Sequence, residues 1–339
     1  MPQLHEQDED DRRQDMLNRR RLLAAAAVVA WPPILKAEQP AGEWPSRAVK
    51  VSLGFPAGQG SDVLARIYAA ELQKAFGQAF IVDNRPGAGA TLAAREVARS
   101  APDGYSLLFT SSGPLTVAPH LYANLGFNPM KDLEPVSLVG RSPLILLVRP
   151  DSVIKTVPDL VAAARKNELN CGSGGNGVTN HLALEMFKLV SGAKFVHVPY
   201  KGAAPALTDL IGGQIDTMFE TTSAALAHVR AGRLRALAVS SPTRYSELTD
   251  VPTVAEYYPG FDATTWAAFA VPHGTPQGIA EKLATQLAKL QNDPSIREKM
   301  TQVGVEAVSD STPAKAKAYV VAEHEKWGHI IRRANIKLD

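Results

Sequence analysis

Two glycine-rich junctions concentrate the polar chemistry of this chain. The first, Phe55-Pro-Ala-Gly-Gln-Gly-Ser-Asp62, follows an alternating run in which Val49, Val51 and Leu53 face one way. It precedes Leu64, Tyr68, Leu72 and Phe76, an apolar stripe at four-residue spacing. The junction is therefore a strand-to-helix loop. Glycines let the backbone approach a ligand closely, and the unpaired N–H groups of a first helical turn favour an anion. Phe55, Pro56, Ala57, Gly58, Gln59, Gly60, Ser61 and Asp62 form one candidate binding segment. Asp62 is odd there, because a carboxylate competes with a bound anion. Ser61 or Asp62 also suits a helix cap, a role compatible with ligand contact.

The second junction is Cys171-Gly-Ser-Gly-Gly-Asn-Gly-Val-Thr-Asn-His181. Ser173, Gly174, Asn176, Gly177, Thr179, Asn180 and His181 bring hydroxyls, amides and free backbone together between another strand and helix. The same stretch also reads as a turn capped by Thr179 or Asn180. Three shorter segments end strands as well: Ser111-Ser112, Val198-Pro-Tyr-Lys-Gly202 with Tyr200 and Lys201, and Glu220-Thr-Thr-Ser223. Arg85 is the arginine candidate for the cleft, with pairing to an acidic neighbour as the alternative. In open α/β sheets, ligands sit beyond the carboxyl ends of strands.

Signals for catalysis are weak. No Gly-x-Ser-x-Gly elbow is present, and no histidine spacing suits a metal. The glycine spacing fits neither a dinucleotide fingerprint nor a P-loop. No catalytic residue, metal or cofactor is expected. The one nucleophile–base alternative pairs Cys171 with His181, in an exported hydrolase or isomerase.

The elements that must position these loops repeat in two sets. Strand, helix, strand, helix, strand run from Arg47 to Thr110, as in parallel βαβ units. The rhythm restarts at the apolar run Leu144–Val148, which suits a strand buried on both faces. It continues to Leu234–Val239. Trp266–Val271 is one more strand, and the rest is helical. The expected fold class is α/β, with two lobes, a cleft between them and a helical C-terminal tail returning to lobe one. Lobe one takes residues 45–145 plus 265–339, and lobe two takes 146–264. Clefts between such lobes are favoured ligand sites.

The 339 residues are 45% apolar and 21% charged, with a formal net charge of +2. That is ordinary for a globular protein too long for one core. No basic stripe with aromatics points to nucleic acid. The N-terminus differs. Asn18-Arg-Arg-Arg-Leu-Leu23 precedes the apolar run 24–30. That order describes an export signal over residues 1–37, of twin-arginine type, cleaved after Ala30 or Ala37. The apolar run is too short to span a bilayer. The single cysteine, Cys171, excludes an internal disulfide.

Six segments in order carry a family resemblance. They are Phe55–Asp62, Asn84-Arg-Pro-Gly-Ala-Gly89, Ala101-Pro-Asp-Gly-Tyr105, Gly172–His181, Val198-Pro-Tyr-Lys-Gly-Ala-Ala-Pro-Ala-Leu207 and Val251-Pro-Thr-Val-Ala-Glu256. Together they resemble the substrate-binding proteins of tripartite tricarboxylate transporters, the Bug family, over residues 44 to 335. The resemblance implies a periplasmic-binding-protein-like receptor that delivers a small carboxylate to membrane-embedded transporter subunits. It also implies that the two glycine-rich loops hold the carboxylate, mainly through backbone N–H groups and ordered water. A sensor that presents the solute to a signalling partner is the third reading. The chain departs from the family pattern at Gln59, where glycine is common, and at Cys171, where an aromatic is usual. It departs again at Asn180, in place of a smaller residue, and at Glu220, in place of aspartate.

Overall fold

The structure, a computed structural model, describes residues 44–337. The expected leader, residues 1–37, lies outside the described residues.

Strand β1 (Val49–Leu53), helix α1 (Gly60–Phe76), strand β2 (Phe80–Asn84), helix α2 (Thr91–Ala98) and strand β3 (Ser106–Ser111) follow one another. β1 pairs in parallel with both β2 and β3. The α1 stripe is real: Leu64, Tyr68 and Leu72 pack in one core with Val49, Val51 and Leu53. Gly77 closes the helix at φ 70°, a left-handed turn that glycine makes without a Cβ clash.

Strand β4 (Leu133–Ser142) is not signalled by the sequence. Pro135 interrupts its apolar run, and proline is normally kept out of paired strands. It fits here because β4 is paired fully on one side only. That side is β10 (Thr265–Pro272), which runs antiparallel between β4 and β3. On the other side, β11 (Glu306–Ala307) reaches only Arg141 and Gly140. The missing N–H of Pro135 therefore costs no ladder bond to β11. The six strands are ordered β11-β4-β10-β3-β1-β2.

A second, five-stranded sheet holds the second lobe. It comprises β5 (Leu144–Val148), β6 (Leu169–Ser173), β7 (Phe195–Pro199), β8 (Thr217–Thr221) and β9 (Arg235–Val239). Helices α3 (Val157–Lys166), α4 (Thr179–Ser191), α5 (Ala203–Gly212) and α6 (Thr222–Arg230) connect them. β6 pairs in parallel with β7 and β8. The run Leu144–Val148 is fully buried, yet it lies antiparallel to both β8 and β9. A continuous apolar run reports burial on two faces, not direction.

Only Pro143 separates β4 from β5, so the first crossing between sheets is one residue long. The second crossing is residues 240–264. Ser240 stitches the two together: its Oγ accepts from Leu144 N at 2.8 Å and donates to Ala263 O at 3.1 Å.

The tail is α7 (Gln277–Asn292), α8 (Pro294–Gln302) and α9 (Pro313–Arg333). α7 returns to the first sheet, with Ile279, Leu283 and Leu287 in its core. α9 serves both sheets. Ala316 and Val320 pack with Trp266, Ala268 and Ala270 of β10. Trp327, Ile330 and Ile331 belong to the second lobe's core, with Leu182, Met186 and Phe187. Among the described residues, no helix is long and apolar enough to cross a membrane.

Candidate functional site

The parallel strands of both sheets send their carboxyl ends toward one cavity of about 560 Å³. Residues from both lobes line it, and its size suits a small molecule.

Four helices begin at its wall. Gly60 and Ser61 open α1, Thr179 and Asn180 open α4, Ala203 follows Gly202 at α5, and Thr221 and Ser223 flank Thr222, the first residue of α6. The N-cap positions are Gln59, Val178, Gly202 and Thr221, and none makes a side-chain cap. This corrects the expectation that Ser61, Asp62, Thr179 or Asn180 caps its helix. First-turn N–H groups without side-chain caps, each end carrying about half a positive charge, converge on one space.

Of the residues expected from sequence, Phe55, Gln59, Gly60, Ser61, Ser111, Ser112, Gly174, Thr179, Asn180 and Glu220 line the cavity. The others do not line it. Several brace the loops instead.

Asp62 is buried, 3% exposed, and it is spent within the protein. Its Oδ2 accepts from Gly58 N and Arg66 Nε, both at 2.9 Å, and its Oδ1 accepts from Asn84 Nδ2 at 2.9 Å. Burial pushes its carboxyl up, but the bonds from Arg66, Gly58 and Asn84 outweigh burial and hold it below the usual carboxylate range. The carboxylate thus shapes the loop rather than competing with an anion.

Ser173 and His181 brace the second loop in the same way. Ser173, fully buried, accepts from Gly175 N at 3.1 Å and lies 2.6 Å from His197 Nε2. His181 Nδ1 accepts from Gly177 N at 3.0 Å, so this nitrogen is unprotonated. The two imidazoles stack with centroids 3.7 Å apart and planes 4° from parallel. Burial pushes both down to about 4, helped at His181 by the neighbouring His197 and Lys188. Both rings are therefore neutral at pH 7.

Because these pKa values lie below the ordinary value of about 6.5, unfolding takes up protons in acid. The loop's stability is complete above pH 6.5 and is lost as pH falls toward 4. The unfolding midpoint of the His181→Gln/His197→Gln double variant should fall less over that window than the parent's. Parallel decline of the two would remove the pair from the account.

Arg85 lies outside the cavity, paired to Asp83 at 2.9 Å, in a groove with Arg95 and Arg99. Tyr200 donates its hydroxyl to Asp209 at 2.7 Å. Pro56, Ala57, Gly58, Asn176, Gly177 and Lys201 belong to the same loops without lining the space. Glu220 lines it, 2% exposed. Its carboxylate accepts from Thr221 N at 2.7 Å, Thr221 Oγ1 at 3.0 Å and Asn180 Nδ2 at 3.2 Å. Burial raises its pKa against those bonds.

Sequence reasoning missed a further wall. Arg141 and Ser142 from β4, Trp266 and Ala267 from β10, and Val303 and Val305 from the tail also face the space. Non-local pairing brings these segments together, and no local pattern announces it.

Cys171 sits in the second lobe's core, 1% exposed, and burial pushes its thiol far up. Its Sγ lies 3.9 Å from Gly172 O and also meets the Phe219 backbone. A thiol so held is not a ready nucleophile.

The Val251–Glu256 segment is structural. Thr253 and Glu256 form a reciprocal capping box, and Arg244 grips both Glu256 oxygens at 2.9 Å.

Comparison with known proteins bears on this geometry. Residues 64–336 match the model of the tripartite tricarboxylate transporter family receptor. The chain belongs to this receptor family. Protein BugT of Bordetella pertussis is 36% identical over 302 residues, covering 88% of this chain and 92% of that protein. Two solved proteins from Rhodopseudomonas palustris share the fold. Rpa4515, solved with adipate, has 33% identity and a TM-score of 0.76, covering 87% of this chain and all of that one. MatC, solved with bound malate, has 30% identity and a TM-score of 0.71, covering 85% and 100%.

Proposed function

We propose that the chain is a periplasmic receptor that captures a small carboxylate between its lobes and passes it, unchanged, to membrane-embedded transporter subunits. The proposed lobes are those expected from the sequence, 45–145 with 265–339 and 146–264, with the first boundary moved to Pro143 because β5 (Leu144–Val148) pairs within the second sheet. The observation that carries this reading is the convergence of four helix N-termini without side-chain caps on one cavity. Backbone N–H groups there bind a carboxylate without a resident cation. Relatives solved with adipate and with malate support an acid as ligand. A ligand that touches both lobes favours the closed state by its differential affinity.

The hydrolase alternative asks Cys171 and His181 to act as nucleophile and base. A fully buried thiol and an imidazole occupied by Gly177 N–H argue against it. Incubation of the purified chain with a bound acid should return that acid unaltered by mass spectrometry. A converted product, lost in the Cys171→Ser variant, would establish the enzyme instead. Export of the leader is tested by sequencing the N-terminus of protein from the periplasm. It should begin after Ala30 or Ala37; retention of residues 1–37 in a cytoplasmic protein would refute export.

A further inference from the structure

Two hydroxyls from opposite sides of the hinge converge on one carbonyl. Gly304, in the turn between α8 and β11, accepts from Thr222 Oγ1 at 2.7 Å, and Ser142 Oγ lies 2.8 Å from the same oxygen. The two hydroxyl oxygens are 2.6 Å apart. Ser142 ends β4, beside Pro143 of the first crossing. Thr222 opens α6 in the second lobe and is 1% exposed. Tyr245, on the second crossing and fully buried, sets its hydroxyl beside Thr222. Both crossings and the returning tail therefore meet at this threonine.

The carbonyl belongs to the first lobe. β11 pairs with β4, and a Cβ on Gly140 of β4 would lie 2.4 Å from Val305 Cγ1, so the tail segment is seated without slack. Gly304 turns at φ 76°, in the left-handed region, and a Cβ there would come within 2.9 Å of Ser223 N and Thr222 Oγ1. Glycine alone brings this backbone so close to α6. Thr222 belongs to the second lobe, because Ala225 and Leu226 anchor α6 in a core with Ile145, Leu147 and Met218. The Thr222–Gly304 bond thus spans the lobes. A change of lobe angle must pivot about it or break it. Glu306 adds a neighbouring tie from the tail, accepting from Ser246 N at 3.1 Å.

The knot stands directly behind the cavity wall. Thr221 and Ser223, on either side of Thr222, line the cavity, as do Val303 and Val305, on either side of Gly304. Hydrogen bonds are short-ranged and directional, so this one fixes where the α6 N-terminus stands relative to the first lobe.

We infer that Thr222 is a positioning residue, which with Ser142 and the Gly304 carbonyl pins the α6 N-terminus to the tail and sets the lobe angle before a ligand enters. This goes beyond the carboxylate-capture reading, because it concerns the empty receptor. Its first readout needs no ligand.

Spin labels on Lys74→Cys in the first lobe and Val153→Cys in the second report the separation by pulsed electron resonance. Both side chains are exposed, whereas Cys171 is buried and escapes labelling. The unliganded labelled parent should give one narrow distance distribution. Thr222→Val, which keeps the shape and loses the hydroxyl, should broaden it. Thr222→Ser, which restores the hydroxyl, should return it to the parent's width. The net worth of one hydrogen bond corresponds to a factor of about 2–10 in an equilibrium, so affinity for adipate or malate should fall by about that factor in Thr222→Val as the competent fraction falls. A folded Thr222→Val protein with the parent's distribution would overturn the inference. So would a Thr222→Ser protein as broad as Thr222→Val, which would assign the effect to packing. Where Thr222→Val does not fold, Ser142→Ala, which leaves the threonine in place, is read in the same way: broadening supports the knot and an unchanged width refutes it. A parent that binds neither acid would count against the carboxylate reading alone, because the distances in the empty protein still decide this one.

Discussion

Replacing Trp327 by alanine should destabilise the protein by about 3–5 kcal/mol, the usual cost of deleting a fully buried large aromatic. Trp327 is 0% exposed in the second lobe's core. It sits on the helix that also packs against β10 of the first sheet. Its Nε1 donates to Glu323 Oε2 at 3.0 Å, and Trp266 of β10 donates to the same oxygen at 3.3 Å. Two indoles from two elements thus share one buried carboxylate. Burial pushes that carboxylate up, and Lys326, ion-paired to its other oxygen, draws it back. Removing Trp327 opens a cavity and takes one of the two indole donors from the carboxylate. Denaturant unfolding reads the loss directly as a lowered midpoint. A change below about 1 kcal/mol would mean that α9 does not carry the packing assigned to it.

Asp62→Ala should weaken ligand binding about tenfold or more while destabilising the fold by about 0.5–1.5 kcal/mol, the net worth of a hydrogen bond whose freed donors regain water, since Gly58 and Arg66 are exposed. The side chain touches no solute space, so the effect travels through the loop. Its loss strands Gly58 N–H, Arg66 Nε and Asn84 Nδ2 together. Asn84 also donates to Phe55 O at 2.9 Å, so the start of the same loop depends on this cluster. Phe55, Gln59, Gly60 and Ser61, which line the cavity, then lose their fixed positions. Asp62→Asn keeps acceptor capacity and should fall between parent and alanine. The pH sign is fixed by the depressed pKa. The brace is intact above the ordinary carboxyl pKa of about 3.9 and is lost only as pH falls below it. Undiminished affinity in Asp62→Ala would show that loop shape is not what binds.

The two loops were legible because their cues are local. Glycines and short polar residues between an alternating run and a four-residue stripe mark a strand-to-helix junction wherever they occur. The α1 stripe and the Gly77 stop were legible for the same reason. What escaped depends on distant partners. Ser173 reads as a ligand contact until His197, twenty-four residues away, is seen beside its hydroxyl. Asp62 reads as a rival to an anion until Asn84 and Arg66 are seen around it. Strand β4 hides behind Pro135, whose tolerance rests on how little of β4 the two-residue β11 covers. Arg141 was invisible as a site residue because only pairing with β10 and β11 sets it at the cleft, whereas Arg85, nearer a glycine motif, lies outside. The apolar period of α9 marks its buried face, but not that this face passes from one lobe's core to the other's.

The central claim is that helix N-termini from both lobes capture a carboxylate. Thermal unfolding of the protein with each of a set of small carboxylic acids, beside the primary amide of the same acid, tests it most directly. A ligand at about 100 times its dissociation constant stabilises by about 2.7 kcal/mol, which moves the midpoint by several degrees. The account predicts that shift for at least one acid and none for its amide. Equal shifts for acid and amide, or a shift with neutral solutes alone, would contradict it.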